Sequence, residues 1–428
     1  MGQLLKFPAR PAVTSVPPQA AEGDLRDLDF TSLEYQENPA PWLHRIREEE
    51  PVFRTRHGYW LLTRYKDVKA ALRDPRFSSD WGRLRGVPEG NSPTSANKRL
   101  IQSSFNMKDP PDHTRMRSLI NLAFAGVAVN SRRERIAALA RQLWQARGPQ
   151  VEFCLVEDYG FHLPIIVAAE MIGIPTEDRL LFRKLFEDAE LLFLSGRTPE
   201  QEDRGRRALA EQIRYVRALV TDRRNQWQDD LISELVRAET QDEPLTEDEI
   251  ISTVVTIFTA AGTTTERLIS SGLLALLQHP GQLAKLRENP GQMDQAIEEI
   301  LRWHHPDQST STPRWTTEDV RIGGTIIPKH ATVRLSLGAA NRDPAEFPSP
   351  DRFDISRTPN RHLSFGKGNH FCLGASLARL EAKIAIQTVA CADGQLELLT
   401  RNPHRDPRRP DRFAKILVRV RPPSKKTI

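Results

Sequence analysis

Hydrophobic and polar positions repeat with helical spacing over most of the chain. Helical patterns cover residues 40–50 and 65–73, dominate up to about residue 304, and return at residues 374–390. Alternation typical of strands is confined to short stretches, which are residues 52–56 and 59–63, residues 313–337 with a Gly-Gly turn, and residues 416–420. No linker separates these pieces. The pattern therefore predicts a mainly α domain with small β-sheets.

The longest predicted helix begins after Thr246. Thr246 and Glu249 have the spacing of a capping box, and no proline follows until Pro280. This predicts a helix of about 34 residues, or ~50 Å at 1.5 Å per residue, with apolar residues on all sides. Its middle contains Gly262 and three successive threonines, which weaken and bend a helix. A tolerated kink is the ordinary interpretation, and an opening for a ligand is the functional one.

Composition narrows the class of protein. The chain has 428 residues, and 61 Lys and Arg against 56 Asp and Glu give a net charge of +5, too low and too evenly spread to indicate nucleic-acid binding. Three cysteines without a Cys-x-x-Cys pair argue against a disulfide scaffold or a structural zinc site. No apolar run approaches the roughly 18 residues of a membrane span. We expect a cytoplasmic protein without membrane contact, with residues 1–28 as a mobile tail.

The segment around Cys372 carries the sharpest chemical signal. Gly366, Gly368 and Gly374 allow the backbone to approach another group closely. Cys372 directly precedes a predicted helix, whose dipole and N–H groups would lower the pKa of its thiol. An isolated cysteine is more often a buried, inert thiol. The surrounding glycines, Phe365 and His370 favour a metal ligand instead.

These residues resemble the haem-binding loop of the cytochromes P-450, the haem-thiolate monooxygenases. The motif is Phe365-x-x-Gly-x-x-x-Cys372-x-Gly374. Further matches follow in the family's order from about residue 29 to the end, namely Glu299-x-x-Arg302, Arg352 in residues 347–353, His113-x-x-x-Arg117, residues 341–344 and residues 359–362. The resemblance implies a soluble bacterial member, a single-domain P-450 fold in residues 29–428, and an α-rich prism around a buried haem.

The resemblance implies haem b as the cofactor and assigns its contacts. Cys372 would be the axial ligand of the haem iron, and Phe365, Gly366 and Gly374 would lie beside it. His113, Arg117, Arg314 and His370 match the positions that hold the haem propionates, since two buried carboxylates need cationic donors. A surface salt bridge is the alternative for each of these four. Glu299, Arg302 and Arg352 would form a buried structural ion cluster.

The resemblance places the oxygen chemistry on the long helix. Thr265 aligns with the family's threonine, whose hydroxyl donates to bound dioxygen and relays protons. The family usually has an acid just before it, but this chain has Thr264 there and Glu266 one place after. One residue turns a side chain by about 100° round a helix, so Glu266 is not expected to replace the acid directly. A water chain, the substrate, or a reaction other than hydroxylation remain open.

The expected substrate pocket is formed by several segments. The helix contributes Ile257, Phe258 and Ala261, and residues 81–108, 178–198 and 309–312 complete the lining. The pattern permits a mid-sized or large amphipathic substrate, such as a secondary metabolite. Electrons would come from a ferredoxin or flavodoxin with its reductase, because the chain has no room for a flavin domain.

Three functions remain open at this point. The first is a monooxygenase that hydroxylates a small organic molecule with two electrons from a separate redox partner. The second, motivated by Thr264, is a coupling, desaturating or peroxide-driven relative. The third is a haem-bearing recruitment module without turnover, against which the retention of Thr265 beside Gly262 argues.

Overall fold

The computed structural model describes residues 23–421 except 31, 81–101, 123–125, 147–151, 194–196, 241–242, 305–312, 393–394, 401 and 407–408. Within this part of the chain, fifteen α-helices dominate. They are α1 Leu33–Glu37, α2 Pro39–Glu49, α3 Tyr65–Ala71, α4 Asp112–Asn121, α5 Gly126–Ser131, α6 Arg133–Ala146, α7 His162–Ile172, α8 Arg179–Ala189, α9 Pro199–Asn225, α10 Leu231–Arg237, α11 Glu247–Gln278, α12 Pro280–Glu288, α13 Met293–Trp303, α14 Leu337–Ala340 and α15 Ala375–Ala390. None of these described helices combines the length and the apolar character that crossing a membrane requires.

Helix α11 is the central element of the core. Its N-terminus carries the predicted capping box, because Thr246 Oγ1 accepts from the Glu249 N–H and Glu249 Oε2 accepts from the Thr246 N–H. The helix contacts α7, α9, α13 and α15, so most of its faces are buried. These contacts confirm the predicted long, core-crossing helix, here 32 residues.

Helix α11 continues without a break through Gly262 and the three threonines. The sequence had allowed an opening of the helix at this place. Thr259 and Thr264 donate their hydroxyls back to the carbonyls of Val255 and Ala260. Gly262 is buried, and a Cβ there would lie 3.4 Å from side-chain atoms of Ile165 and Phe186. The glycine thus allows close packing on one side of the helix.

Twelve short strands complete the described part of the fold. They are β1 Val52–Arg54, β2 Trp60–Leu62, β3 Phe77–Ser78, β4 Glu152–Cys154, β5 Arg314–Thr316, β6 Val320–Ile322, β7 Thr325–Ile327, β8 Thr332–Leu335, β9 Gln395–Leu398, β10 Arg405–Asp406, β11 Arg409–Phe413 and β12 Leu417–Arg421. The largest sheet has the order β1-β2-β8-β5-β3, with β2 and β8 parallel in the register Trp60↔Val333. Strand β12 lies between β4 and β9. Both predicted hairpins are present, β1–β2 and β6–β7, the latter turning at a Gly-Gly pair with positive φ.

The N-terminal segment packs against the fold at residues that the sequence assigned to a mobile tail, residues 1–28. Leu25 and Leu28, which fall in the predicted tail, are buried in a cluster with Phe53 and Leu61. The apolar side chains at these two positions provide the reason, since they cover strands β1 and β2. Residues 1–22 lie outside the described part.

Candidate active site

A cavity of about 360 Å³ lies between α11 and the segment that leads into α15. Its lining comes from parts of the chain that are far apart in sequence, from Leu72 to Glu381. It includes most of the predicted site residues, namely Arg117, Ile257, Ala261, Thr264, Thr265, Arg314, Phe365, Gly366, His370, Cys372 and Gly374. The fold therefore brings together the residues of the glycine-rich loop and the threonines of the long helix.

The loop before α15 holds Cys372 at the cavity wall. Gly366 and Gly368 have φ values of 68° and 74°, in the left-handed region that favours glycine. A Cβ at Gly368 would lie 2.6 Å from the carbonyl oxygen of Leu72, so this position also requires a close backbone approach. The Cys372 N–H donates to the Phe365 carbonyl at 2.9 Å. These constraints fix the thiol's position at the start of the helix.

The thiol of Cys372 has a raised pKa in this structure. Burial is the larger influence, whereas the Gly374 N–H and the nearby Arg117 and Arg379 lower the pKa less. The sequence predicted a lowered value from the helix start alone. The prediction of direction was wrong because the apolar surroundings of the thiol outweigh the helix terminus. Coordination to a metal ion would deprotonate such a thiol outright.

Four cationic or ring side chains cluster beside the cavity. The rings of His113 and His370 lie 4.2 Å apart, centroid to centroid, and Arg117 and Arg314 flank them in the cavity wall. Both ring nitrogens of His113 and Nε2 of His370 are buried without a hydrogen-bond partner in the described structure. His113 itself does not line the cavity, but lies behind His370.

The electrostatics of this cluster show an excess of positive charge. Burial and then the neighbouring Arg314, His113 and Arg117 lower the pKa of His370 to about 3. Burial also lowers the pKa of Arg314 to about 10, and Asp109 offsets this only in part. A buried anionic group would restore these pKa values, so the cluster is suited to carboxylates.

The three predicted catalytic positions of α11 have different surroundings. Thr265 is buried and lines the cavity. Thr264 lines it too, but its Oγ1 donates to the Ala260 carbonyl at 2.7 Å. Glu266 is 1 % exposed, lies outside the cavity lining, and accepts a hydrogen bond from Ser270. The rotation expected between Thr265 and Glu266 is therefore present.

Two of the three predicted pocket residues line the cavity. Phe258 does not, because its ring packs edge-on against Phe182 at 4.6 Å and Phe186 at 5.4 Å, measured between centroids. The described part of the predicted segment 178–198 thus supports α11 from behind. Residues 81–101 and 309–312 lie outside the described residues. From the predicted segment 81–108, Phe105 and Asn106 line the cavity.

The buried ion cluster has a different third member from the one predicted. Glu299 and Arg302 form a fully buried bidentate pair, with both N···O distances 2.8 Å. Arg357 completes it, with Nε 3.1 Å from Glu299 Oε2. The side chain of Arg352 is 69 % exposed, and only its backbone carbonyl contributes, by accepting from Arg302 and Arg357.

Comparison with known proteins decides the family. A family model described as cytochrome P450 matches residues 193–390. A cytochrome P450 of Bacillus subtilis (strain 168) is 36% identical over 379 residues, which cover 87% of this chain and 92% of that protein. The chain belongs to the cytochrome P450 family.

Further relatives agree over most of their length. The 6-deoxyerythronolide B hydroxylase of Saccharopolyspora erythraea is 35% identical over 353 residues, which cover 80% of this chain and 86% of that protein. P450BioI, in complex with an acyl carrier protein ligated to hexadec-9Z-enoic acid, matches with a TM-score of 0.83 and 33% identity, covering 91% of this chain and 99% of that chain. This chain is accordingly a cytochrome P450 monooxygenase with the fold of that family.

Cytochromes P450 bind haem, iron protoporphyrin IX. The described residues fit this group on two observations. The buried cationic cluster has ring nitrogens without partners, as two propionates would require. Gly374 lines the cavity with no atom within 4 Å of where a Cβ would stand, which leaves a flat approach beside Cys372.

Two residues of this site were missed from the sequence. The family motif indicates Arg352, five residues earlier, and contains no signal for Arg357. Glu381 lines the cavity and is 2 % exposed. Its signal was a glutamate on the apolar face of α15, one turn from Leu377 and Ala385, both buried.

Proposed function

We propose that this cytochrome P450 hydroxylates a mid-sized or large amphipathic organic molecule in secondary metabolism. The observation that supports the proposal best is the position of Cys372 and Thr265 in the lining of the same cavity. A thiol and a buried hydroxyl on separate elements would provide a ligand for the haem iron and a proton-relaying group.

Each predicted site residue in or beside the cavity has one task in this proposal. Cys372 would ligate the haem iron, and His113, Arg117, Arg314 and His370 would hold the two propionates by charge-assisted hydrogen bonds. When bound, the haem supplies the redox-active iron at which dioxygen is activated. Thr265 donates and accepts a proton at Oγ1. Phe365 shields the thiolate side from water, with Arg379 stacked 4.4 Å from its ring centroid.

The substrate class follows from the lining and from relatives. Phe105, Ile257, Ala261 and Leu268 form an apolar wall, so the body of the substrate is apolar. Relatives include the 6-deoxyerythronolide B hydroxylase, and P450BioI with its acyl carrier protein. These names support a hydroxylation and leave both free and carrier-bound substrates within the proposal.

The redox partner is proposed by type. The family implies a separate electron donor. A ferredoxin or flavodoxin with its reductase is the expected donor, and the cytoplasm the expected location; both stay predictions. Purified candidate donors that fail to reduce the protein would contradict this assignment.

The decisive experiment is the carbon monoxide spectrum of the reduced protein. We expect the Soret band to show the red shift that is specific to thiolate ligation, and we expect Cys372→His to abolish it. Cys391→Ser, at a half-buried cysteine away from the cavity, is the matched control and should keep the shift. Wild-type protein without the shift would refute a haem-thiolate function. A screen for substrate-induced low-spin to high-spin changes then identifies ligands.

A second candidate function rests on Thr264. Its hydroxyl is bonded to the Ala260 carbonyl and does not replace an acid. A coupling, desaturating or peroxide-driven reaction has a different need for protons at that position. Turnover supported by hydrogen peroxide but not by reduced ferredoxin would favour this second function over hydroxylation.

A further inference from the structure

A second cavity lies behind the candidate active site. Its volume is about 450 Å³, and its described lining shares no residue with the cavity beside Cys372. The C-terminal parts of α11 and α13 line it, together with α2, α14 and β10. The two cavities use the same elements, since Leu301 and Leu337 line the first, whereas Trp303 and Gly338 line the second. A cavity of this volume is large enough for a small organic molecule.

The inner wall of this second cavity carries positive charge. Arg47 and Arg405 line it and are buried, and Arg342 lines it with a side chain that is 21 % exposed. Burial is the largest influence on all three arginines and lowers their pKa values, that of Arg405 to about 10. The carboxyl groups of the described lining belong to Glu37 and Asp351, whose side chains are 50 % and 73 % exposed. The acids therefore lie towards solvent and the arginines lie inside.

Aromatic rings hold two of these guanidinium groups in place. Cζ of Arg342 lies 4.0 Å from the ring centroid of Trp303, and Arg342 also donates to the Trp303 carbonyl. Cζ of Arg405 lies 4.1 Å from the ring centroid of Phe413. A guanidinium group that is ordered before a ligand arrives loses less entropy when the ligand binds. Its planar N–H groups match the two oxygens of a carboxylate.

His304 lies in the same wall and responds to the same charges. Its pKa is lowered to about 3, first by burial and then by Arg405, Arg342 and His279. All of these influences disfavour a further positive charge at the imidazole. An anion beside the ring would oppose them and raise the pKa of His304. The imidazole is therefore an internal reporter of a bound anion.

The rest of the lining supplies apolar surface. Leu43 of α2, Leu274 of α11 and Phe413 of β11 line the cavity beside the arginines. A bare inorganic ion would contact the charged groups and leave this apolar surface uncovered. A molecule that has a carboxylate and an apolar body matches both parts.

We propose that the second cavity binds a small organic carboxylate, whose charged group pairs with Arg342 and Arg405 and whose apolar body contacts α2 and α11. This site is separate from the haem cavity and takes no part in the proposed oxidation.

Calorimetric titration of the haem-loaded protein with octanoate tests the proposal. Phenylimidazole is present throughout, because its ring nitrogen ligates the haem iron and its body keeps octanoate out of the haem cavity. Octan-1-ol has the chain without the charge, and inorganic phosphate has the charge without the chain. We expect one octanoate site, and affinities at least about tenfold lower for both other probes. Equal binding of octan-1-ol, or of phosphate, would overturn the assignment to an organic carboxylate.

Substitutions locate the site. Arg342→Gln and Arg405→Gln should each weaken octanoate binding about tenfold, because each removes a charged donor. Arg419→Gln is the matched control, since Arg419 pairs with Glu152 and Glu397 on another sheet, and should keep the wild-type affinity. Unchanged affinity in both cavity variants would overturn the proposal.

Nuclear magnetic resonance of the wild-type protein gives an answer that does not depend on the stability of the arginine variants. Octanoate should move the ring nitrogen resonances of His304 towards those of the protonated form, and His304→Gln identifies these resonances. The resonances of His57, which lies outside the cavity lining, should not move. Resonances of His304 that stay unchanged at saturating octanoate would overturn the proposal. The carbon monoxide spectrum of each variant reports separately on the haem-thiolate function.

Discussion

At the scale of single residues, two adjacent threonines of α11 have hydroxyls in different environments. Thr264 and Thr265 both line the cavity, but the hydroxyl of Thr264 is bonded to its own helix. Of these two hydroxyls, we expect that of Thr265 to exchange protons with the cavity. The acid that follows, Glu266, is buried on another face of the helix.

The substitution Thr264→Asp tests this directly. An aspartate there would put a carboxylate at the cavity wall, so we expect a larger share of the electrons consumed to appear in product and a smaller share in peroxide. The measurement is the ratio of product and peroxide to NADPH oxidised. Thr263→Asp is not a useful control because Thr263 is buried. Thr259→Ser, outside the cavity lining, should leave the ratio unchanged.

Glu298 gives a second prediction at this scale. Burial alone would raise its pKa, but hydrogen bonds from His362 and Arg379 outweigh it and lower the pKa to about 2. A lowered folded-state pKa means that the ionised form stabilises the fold at neutral pH. That contribution is lost as the pH falls from about 5 to about 2.

We therefore expect Glu298→Gln to be less stable than wild type at neutral pH and to approach it at acid pH. Urea unfolding midpoints over this pH range are the measurement. Glu397→Gln removes a surface contact with Arg419 and should show no such convergence. A stability difference for Glu298→Gln that is constant with pH would contradict the assignment.

At the scale of elements, the buried ion cluster connects α13 to the coil before the cysteine loop. Glu299 accepts from Arg302, Arg357 and Asn360 and from the Asp354 N–H. A carboxylate with no exposed surface is satisfied only if all of these segments are in place. The cluster thereby fixes the coil that positions residues 363–372.

The pair Arg357→Ala and Arg352→Ala tests which arginine belongs to the cluster. Removing Arg357 leaves a buried carboxylate with one partner fewer, and we expect a loss of about 3 kcal/mol in the free energy of unfolding. Removing the exposed side chain of Arg352 should change it by less than about 0.5 kcal/mol. Denaturant unfolding of both variants measures the difference. Equal losses would mean that the side chain of Arg352 also takes part.

At the scale of the whole molecule, we expect haem to stabilise the fold. The cavity lies among α4, α11, β5 and α15, and burial lowers the pKa values of His370 and Arg314 in its wall. A ligand that binds only the folded state stabilises it by mass action. The protein without haem should therefore be less stable as a whole and locally less protected.

Removal of haem provides the measurement. We expect a lower thermal midpoint in the apoprotein, and faster amide hydrogen exchange in α4 and residues 364–374 than in α7, which lies away from the cavity. Reconstitution with haem should restore both. Equal exchange rates in the two states at α4 would show that the cavity is formed independently of haem.

Much of the fold was predictable from local pattern. The capping box and the distance to Pro280 predicted α11 to within a few residues, and alternation with a Gly-Gly turn predicted β6–β7. The N-terminal boundary was less accurate, because the burial of Leu25 and Leu28 depends on strands that lie further along the chain. A short apolar pair in a polar segment has no period to reveal its packing.

The candidate site, like the fold, was predictable from the sequence only in part. The sequence by itself determined which residue types are present, their spacing around Cys372, and the absence of an acid at position 264. Only the tertiary structure decided which face each side chain occupies. In the folded protein Phe258 packs against Phe182, and Arg357 rather than the side chain of Arg352 pairs with Glu299. Glu381 lines the cavity. The physical reason is that burial, charge compensation and the pKa of a group depend on neighbours hundreds of residues away, which no local pattern records.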